Sequence, residues 1–412
     1  MYTKLALIIF TLALITLLAP AAPAAVGDGP LVSVPQTTQA PVLDGRVEAR
    51  EWAHAAALSD FVAVGGAKLP VLRTQVYLEY DATNLYLGAI CYDPTGQFKA
   101  DVFQRDGPLF NDDSLELFID TVGQRKYAET ARLAVNAAGT QYDALGDDAS
   151  QDFKWIAIAA RGPDSWSVEI ALPFARGIGP KVGDSWLINV GRHVARTGES
   201  STWSTVGKGF GEMDRLGTLL FSGPPFRVVI ADLGNLWFGA NTAHFEVSYL
   251  GGSPGPGAAA EEKLNARVEG HTLVDRFFNA VKLHVGDKPL ALEAPYRVSS
   301  EGSTVTFSFT DAKGQTAWRS ASYPLVTAPV TPELQKLEAT MSAALLAWSA
   351  LPEGPRKAEL WDNLSELLGA WQGLSRQMAV RDTLTAPQYA GLLTQAGMLR
   401  NAAEGLKAEI TP

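Results

Sequence analysis

Residues 112–120 read DDSLELFID, and this stretch decides the fold class. Leu115, Leu117 and Ile119 fall on one face of an extended strand, while Glu116 falls on the other. Such alternation is typical of an antiparallel strand with one face in a core. The stretch therefore predicts a strand that carries a carboxylate on the face opposite the core.

The same two-residue period recurs on both sides of this strand, over residues 34–223. Residues 74–80 and 85–90 alternate around a turn-like segment, which predicts a hairpin. Further strand-like runs cover residues 133–136, 153–159, 166–172, 186–192 and 216–221. About eight or more short strands between Gly- and Pro-containing turns indicate an antiparallel β-sandwich.

Two further blocks follow this sandwich. Residues 226–328 alternate again, as at 244–249, 281–285 and 304–309, which predicts a second, smaller immunoglobulin-like β-sandwich. In residues 331–410 the apolar positions recur every three or four residues. This period predicts a C-terminal α-helical hairpin or bundle, which either packs on the protein itself or docks a protein partner.

Composition and charge exclude several classes of function. The 412-residue chain has 34 Lys and Arg against 44 Asp and Glu, a formal net charge of −10. Nucleic acid binding needs a clustered basic surface, so nucleic acid is not expected as a partner. The single cysteine, Cys91, excludes an intramolecular disulfide framework.

The amino-terminal residues carry a targeting pattern. Lys4 precedes an apolar run that ends in the Ala- and Pro-rich residues 19–25. This pattern predicts a secretory signal peptide over residues 1–25. We therefore expect a secreted protein, periplasmic or extracellular, with no membrane association after cleavage.

An ordered series of motifs spans residues 38–222. In chain order the motifs are PVLDGRVEAREW (41–52), YDATNLYL (80–87), CYDP (91–94), DDSLELFID (112–120), VNAAG (135–139), WSVEIALPF (166–174), NVGR (189–192) and TWS (202–204). The series resembles the carbohydrate-binding module family 9 domain, a DOMON-like β-sandwich of secreted xylanases and other extracellular bacterial proteins. The resemblance implies binding of a xylan- or glucan-like polysaccharide or oligosaccharide without catalysis and without a cofactor.

The resemblance also implies the site residues. Members of this family hold a terminal sugar between two aromatic rings, and the matching positions here are Phe110 and Phe210. The polar contacts are then expected from Asp113, Glu116, Asn136 and Asn189. Arg132 is added because it lies one pleat before Ala134, the family's arginine position, and therefore on the same strand face. The pattern departs from the family at the aromatic pair, where sugar binders have the larger Trp, and at Ala134 and Gly191, where they have longer polar residues. These departures leave the identity of the sugar open.

Carboxylates in the same region allow other interpretations. Asp112, Asp147 and Asp148 are candidate ligands of a structural calcium ion, because hard cations prefer clustered oxygens, and the alternative is solvated turn carboxylates. The group of Asp112, Asp113, Glu116 and Asp120 raises a glycosidase hypothesis, since such enzymes use paired carboxylates. No second carboxylate motif accompanies the group. Three hypotheses remain: a glycan-binding protein, an accessory part of a glycoside hydrolase system, and a structural or surface-assembly protein that has lost sugar binding.

Overall fold

The computed structural model describes most of the chain as two compact units. The first unit comprises Met1–Gly65 and Pro70–Pro225, and the second comprises Gly66–Leu69 and Phe226–Pro412. The described residues are 28–66, 68–174, 179–223, 225–234, 236, 239–251, 261–268, 271–279, 283–284, 286–298, 304–311, 313–325, 330–380, 384 and 386–410. The predicted signal peptide, residues 1–25, lies outside them.

Unit 1 is a β-sandwich of two sheets. Its strands are β1 (Leu31–Val34), β2 (Ala56–Leu58), β3 (Val62–Ala63), β4 (Thr74–Tyr80), β5 (Asn84–Tyr92), β6 (Ser114–Asp120), β7 (Ala131–Asn136), β8 (Gln141–Leu145), β9 (Ile156–Arg161), β10 (Ser165–Pro173), β11 (Ser185–Val194), β12 (Glu199–Thr202) and β13 (Gly217–Phe221). The front sheet has the order β1-β13-β11-β6-β7-β8, and β12 pairs with both β11 and β3. The back sheet has the order β2-β4-β5-β10-β9.

The alternation read from the sequence sets the faces of these sheets. Leu115 and Leu117 of β6 are fully buried and lie in the core between the sheets. The predicted hairpin is confirmed, because β4 and β5 pair from Thr74 opposite Cys91 to Tyr80 opposite Leu85. Glu116 and its same-face neighbours therefore project from the outer side of the front sheet.

The strand predicted over 153–159 starts later, at Ile156. The buried carboxylate of Asp143 accepts hydrogen bonds from the Phe153 backbone N–H (2.5 Å) and from Trp155 Nε1 (3.2 Å). These bonds hold the residues before Ile156 at a side chain rather than in a strand ladder. The strand itself was predicted correctly, but residues 153–155 were wrongly included in it.

The first motif of the series covers the outer face of the back sheet. The buried carboxylate of Glu169 accepts hydrogen bonds from the backbone N–H groups of Asp44 (2.9 Å) and Gly45 (3.0 Å) and from Trp52 Nε1 (3.1 Å). The indole of Trp52 lies on Gly88, where an added Cβ would come within 2.6 Å of the ring. The motif is therefore a clamp that holds residues 44–52 on β5 and β10.

Unit 2 begins with a second all-β region. Its strands are β14 (Phe226–Asp232), β15 (Gly239–Tyr249), β16 (Glu261–Val268), β17 (His271–Asn279), β18 (Leu290–Val298), β19 (Thr304–Thr310), β20 (Thr316–Arg319) and β21 (Tyr323–Pro324). One sheet has the order β14-β15-β18, and the other has β17-β16-β19-β20 with β21 beside β19. Aromatic side chains fill its core, where the Phe245 ring packs edge-on against Phe307 and Trp318.

The strand predicted over 281–285 is wrong at its described residues. Leu283 and His284 are outside any strand, because His284 and Asp287 close a turn. The His284 N–H donates to Asp287 Oδ2 (2.8 Å), and the Asp287 N–H donates to the His284 carbonyl (3.1 Å).

Three helices follow, as the changed period predicts. They are α1 (Val330–Ser349), α2 (Pro355–Ala379) and α3 (Ala386–Ile410). Their buried seam includes Leu337, Met341, Leu360, Leu364, Leu374, Leu392 and Leu406. Proline at the start of α2 suits a position whose N–H needs no helical partner. The mainly β fold class with C-terminal helices is confirmed. None of the described helices is long and apolar enough to span a membrane.

Candidate functional site

A cavity of about 360 Å³ opens on the outer face of the front sheet. Strands β6 and β7 form its floor, and the loop between β12 and β13 forms one wall. The side chains that define it are Glu116, Phe118, Tyr127, Arg132, Lys208 and Phe210. Three residues expected from the sequence, Glu116, Arg132 and Phe210, are thus brought together.

Glu116 and Arg132 form an ion pair on the cavity floor. Arg132 Nε (3.1 Å) and Nη2 (2.9 Å) both donate to Glu116 Oε2. Within the described part of the chain, Glu116 Oε1 and Arg132 Nη1 have no hydrogen-bond partner. One acceptor and one donor therefore stay available to a bound molecule.

Burial and pairing oppose each other at this ion pair. Burial raises the pKa of Glu116, and the charge and hydrogen bonds of Arg132 act against that rise. Burial disfavours the charge of Arg132 as well, but Glu116 outweighs it and holds the pKa of the guanidinium above its usual value. The charged form of each side chain is thus stabilised, at this buried position, by the opposite charge of the other.

Phe110 supports Arg132 instead of lining the cavity. The guanidinium carbon of Arg132 lies 4.2 Å from the centre of the Phe110 ring. Phe110 and Tyr142 pack in an edge-to-face arrangement, with ring centres 4.9 Å apart. One face of Phe110 is therefore covered by a charged side chain, and the ring is not opposed to Phe210 across the cavity in the way that the family pattern implies.

Phe210 forms an aromatic wall because Gly191 makes room for it. A Cβ at Gly191 would lie 2.4 Å from atoms of the Phe210 ring, so the ring rests directly on the backbone of β11. Tyr127 and Phe118 line the cavity as well, with ring centres 6.3 Å apart. The polar residue that the family has at position 191 is thus replaced by contact with an aromatic ring.

Asn189 positions the Phe210 wall from below. Its Nδ2 donates to the Phe210 carbonyl (2.9 Å), while its Oδ1 accepts from Thr202 Oγ1 (2.8 Å) and the Ser204 N–H (3.0 Å). The side chain is completely buried. Its amide is committed to the loop, so the structure gives it an indirect role at the cavity.

Asn136 and Asp113 lie in the interior, away from the cavity lining. Asn136 Nδ2 donates to the Val102 carbonyl (2.8 Å) and to Asp112 Oδ2 (2.9 Å), and its Oδ1 accepts from the turn that follows β7. Asp113 is fully buried, and its Oδ2 accepts the Lys99 N–H (2.8 Å). Both side chains fix loops behind the strand ends.

The candidate calcium ligands do not share one site. Asp112 accepts the backbone N–H groups of Asp101 and Val102, each at 3.1 Å. Asp147 accepts the hydroxyl of Tyr127 (2.8 Å), and Asp148 accepts the hydroxyl of Ser150 (2.6 Å). Among the residues that the structure describes, no three His, Cys, Asp or Glu side chains are grouped so as to hold a metal ion. These carboxylates instead accept hydrogen bonds from loop residues and from the Tyr127 hydroxyl.

Of the acidic group in residues 112–120, Glu116 is the member that lines the cavity. The carboxylate of Asp120 caps the turn after β6 through the N–H groups of Val122 (2.9 Å), Gly123 (2.7 Å) and Arg125 (2.7 Å). A glycosidase needs two carboxylates about the scissile bond. This lining, as described, offers one.

Sequence reasoning missed Tyr127, Phe118 and Lys208. Phe118 could have been found, because it shares the outer face of β6 with Glu116. Tyr127 lies in a short 3₁₀ turn, Tyr127–Glu129, that no periodicity marks. Lys208 lies in a loop whose alternate glycines, from Gly207 to Gly211, are its one visible signal.

Comparisons with known proteins agree with the motif series. Residues 43–220 match the family model described as "Carbohydrate family 9 binding domain-like". This stretch is a carbohydrate family 9 binding-like domain. The resemblance inferred from the motifs is confirmed for this part of the chain, and it supports a carbohydrate-binding role for unit 1. A search of the curated proteins finds no match.

Solved structures similar to this family 9-like domain include two from Caldicellulosiruptor kristjanssonii. Both are carbohydrate binding modules of family 9. The one in complex with cellotriose is 18% identical, with 47% of this chain and 94% of that chain covered and a TM-score of 0.37. The one in complex with glucose is 17% identical, with 47% and 96% covered and a TM-score of 0.36.

Proposed function

We propose that the family 9-like domain binds a saccharide, without catalysis, in the cavity between Phe210 and Tyr127. The ion pair of Glu116 and Arg132 carries this proposal, because it presents one acceptor and one donor to the same space. A pyranose has hydroxyl groups at its rim and C–H groups on its faces, so it matches a polar floor between aromatic walls.

The size of the cavity limits what it holds. About 360 Å³ is near the lower end of small-molecule sites, which suits one or two sugar rings rather than a long stretch of polysaccharide. We therefore propose that the domain takes a short oligosaccharide or the end of a chain, and that the rest of the polymer stays outside the cavity.

The chemistry requires no proton transfer. Glu116 Oε1 accepts a hydroxyl hydrogen and Arg132 Nη1 donates to a hydroxyl oxygen, while the Phe210 ring covers a C–H face of the sugar. Phe210 rests on Gly191 and Arg132 rests on Phe110, so both groups are in position before the ligand arrives.

Isothermal titration calorimetry with glucose, cellotriose and xylo-oligosaccharides tests the proposal. We expect saturable binding by the wild type and an affinity about tenfold lower for Phe210→Ala, which removes a stacking face. Glu116→Gln keeps the size of the side chain and should weaken binding as well. Asp214→Asn, at an exposed carboxylate outside the cavity lining, is the control. Absence of heat with every glycan, or wild-type affinity in both cavity variants, would overturn the proposal.

We also propose that the protein is exported. The basic, apolar and Ala-rich pattern of residues 1–25 supports this. Expression of the full chain in a bacterial host, followed by mass spectrometry of the exported fraction, should give a mature chain that starts near Val26. A full-length chain confined to the cytoplasm would contradict export.

A further inference from the structure

The loop that forms the Phe210 wall has a glycine at every second position. Gly207, Gly209 and Gly211 alternate with Lys208 and Phe210. Glycine pays the largest conformational entropy on ordering, so such a loop needs specific contacts to keep one shape.

The backbone carbonyls at the two ends of this loop are fixed by hydrogen bonds. The Gly65 N–H donates to the Val206 carbonyl (2.9 Å) before the loop, and Arg125 Nη1 donates to the Met213 carbonyl (2.7 Å) after it. The stretch between these anchors carries the two cavity-lining side chains, Lys208 and Phe210. Asn189 Nδ2 holds the Phe210 carbonyl (2.9 Å), and whatever orders the preceding residues, 207–209, completes this wall of the cavity.

A single carboxylate joins the middle of the loop to its end. Glu212 Oε2 accepts the Gly207 N–H (3.1 Å), and Oε1 accepts the N–H groups of Lys208 and Gly209, the latter at 3.3 Å. Three successive backbone N–H groups that converge on one anion form a nest, an arrangement that binds anions. The carboxylate of Glu212 occupies this nest.

The electrostatics agree with a filled nest. Partial burial alone would raise the pKa of Glu212, but the backbone N–H groups of Gly207, Lys208 and Gly209 outweigh it and hold the pKa below its usual value. The carboxylate is thus ionised across the neutral range, and the loop keeps its ordering contact there.

We propose that Glu212 is a positioning residue for the saccharide cavity: its carboxylate, held by the backbone N–H groups of Gly207, Lys208 and Gly209, sets the place of Lys208 and Phe210 before the ligand binds. This inference rests on the proposed function of the cavity. Glu212 acts through the loop, and a bound sugar need not touch it.

Removal of the carboxylate is the first part of the test. In Glu212→Ala the nest is empty, and we expect about tenfold weaker saccharide binding. The loop must then become ordered as the sugar binds, and the entropy lost in that ordering weakens the affinity. Asp214→Asn removes one negative charge two residues away and should bind as the wild type does. Wild-type affinity in Glu212→Ala would overturn the inference.

Rescue by a small anion separates positioning from general damage. Acetate supplies the carboxylate and the carbon that Glu212→Ala lacks, so added sodium acetate should restore saccharide affinity in this variant. Sodium chloride at matched ionic strength should not, and acetate should leave the wild type unchanged. A loss of affinity that acetate leaves untouched would mean that Glu212 serves only stability, and the inference would be wrong.

Amide hydrogen exchange gives a readout that needs no sugar. The amides of residues 207–209 should exchange faster in Glu212→Ala than in the wild type and slow again in acetate. Unchanged exchange would contradict the inference even if affinity falls. If the wild type binds no saccharide, the proposed function fails, and the exchange experiment alone then decides whether Glu212 orders the loop.

Discussion

In the family 9-like domain, the burial of a polar side chain decides whether it can contact a ligand in the cavity. Glu116 and Arg132 lie at the cavity because their strands turn them to the outer face. Asn136, which the family pattern makes a ligand contact, lies on the same face of β7 as Arg132, but Val102 and Asp112 cover it and it holds the turn after β7. The two-residue period predicts the strand and the face of each side chain, but it does not show which part of that face a loop covers. The motif series therefore predicted correctly that Glu116 and Phe210 line the cavity. It did not predict that Asn136 lies outside the cavity.

Glu79 provides a pH-dependent prediction. It is buried on β4, and the structure as described shows no hydrogen-bond partner for its Oε1. Burial raises the pKa of Glu79 from 4.5 to about 7, and the nearby charge of Asp81 adds to the rise. Because the folded pKa exceeds the unfolded one, the stabilising contribution of Glu79 is complete below pH 4.5 and is lost as the pH rises through 7.

Glu79→Gln should remove this dependence. At about pH 8 the variant should have a free energy of unfolding about 3 kcal/mol higher than that of the wild type, and the gap should shrink toward acid pH. Urea denaturation across this range measures the effect, and Glu48→Gln, at an exposed position, is the control. A difference between the Glu79 variant and the wild type that does not change with pH would contradict the account.

Phe110 is predicted to act through Arg132. Phe110→Ala removes the ring beneath the guanidinium and should weaken saccharide binding about threefold to tenfold, because Arg132 loses its support. A double-mutant cycle with Arg132→Gln, followed by calorimetry, separates this from direct stacking on the sugar. We expect Phe110→Ala to have little further effect once Arg132 is replaced. Fully additive losses would mean that the Phe110 ring contacts the sugar itself.

Elements were predicted well where alternation alone determines them. The hairpin of β4 and β5 and the strand β6 follow from their own residues. The start of β9 did not, because Asp143, distant in sequence, holds residues 153–155 out of the ladder. The strands β16 and β17 were missed, and their sequences, EEKLNARV and HTLVDRFFN, mix charges with apolar residues without clean alternation.

The clamp that holds residues 44–52 on β5 and β10 can be tested through Gly45. Gly45 has a φ of +86°, and a Cβ there would lie 2.7 Å from the Ala159 carbonyl carbon. Gly45→Ala should therefore lower the free energy of unfolding by about 2 kcal/mol or more. Gly65→Ala is a matched control, because Gly65 has a φ of +94° with no atom within 4 Å of the added Cβ. Equal losses in urea denaturation would show that the contact with Ala159 does not matter.

At the scale of the whole molecule, the helices form a core of their own within unit 2. Leu364 of α2 is fully buried among them, while Leu346 of α1 is 75% exposed. Leu364→Ala should lower the free energy of unfolding of the helices by about 2–5 kcal/mol, whereas Leu346→Ala should leave it nearly unchanged. Thermal melts of the full chain, followed by circular dichroism at a helical wavelength, measure both. Similar melts for the two variants would contradict this packing.

The most direct test of the central claim is a crystal structure of the full chain soaked with cellotriose or a xylo-oligosaccharide. We predict density for a sugar ring against Phe210, with one hydroxyl within hydrogen-bond distance of Glu116 Oε1 and another near Arg132 Nη1. Density at another surface, or a cavity still free of sugar at a ligand concentration that saturates binding in solution, would contradict the claim.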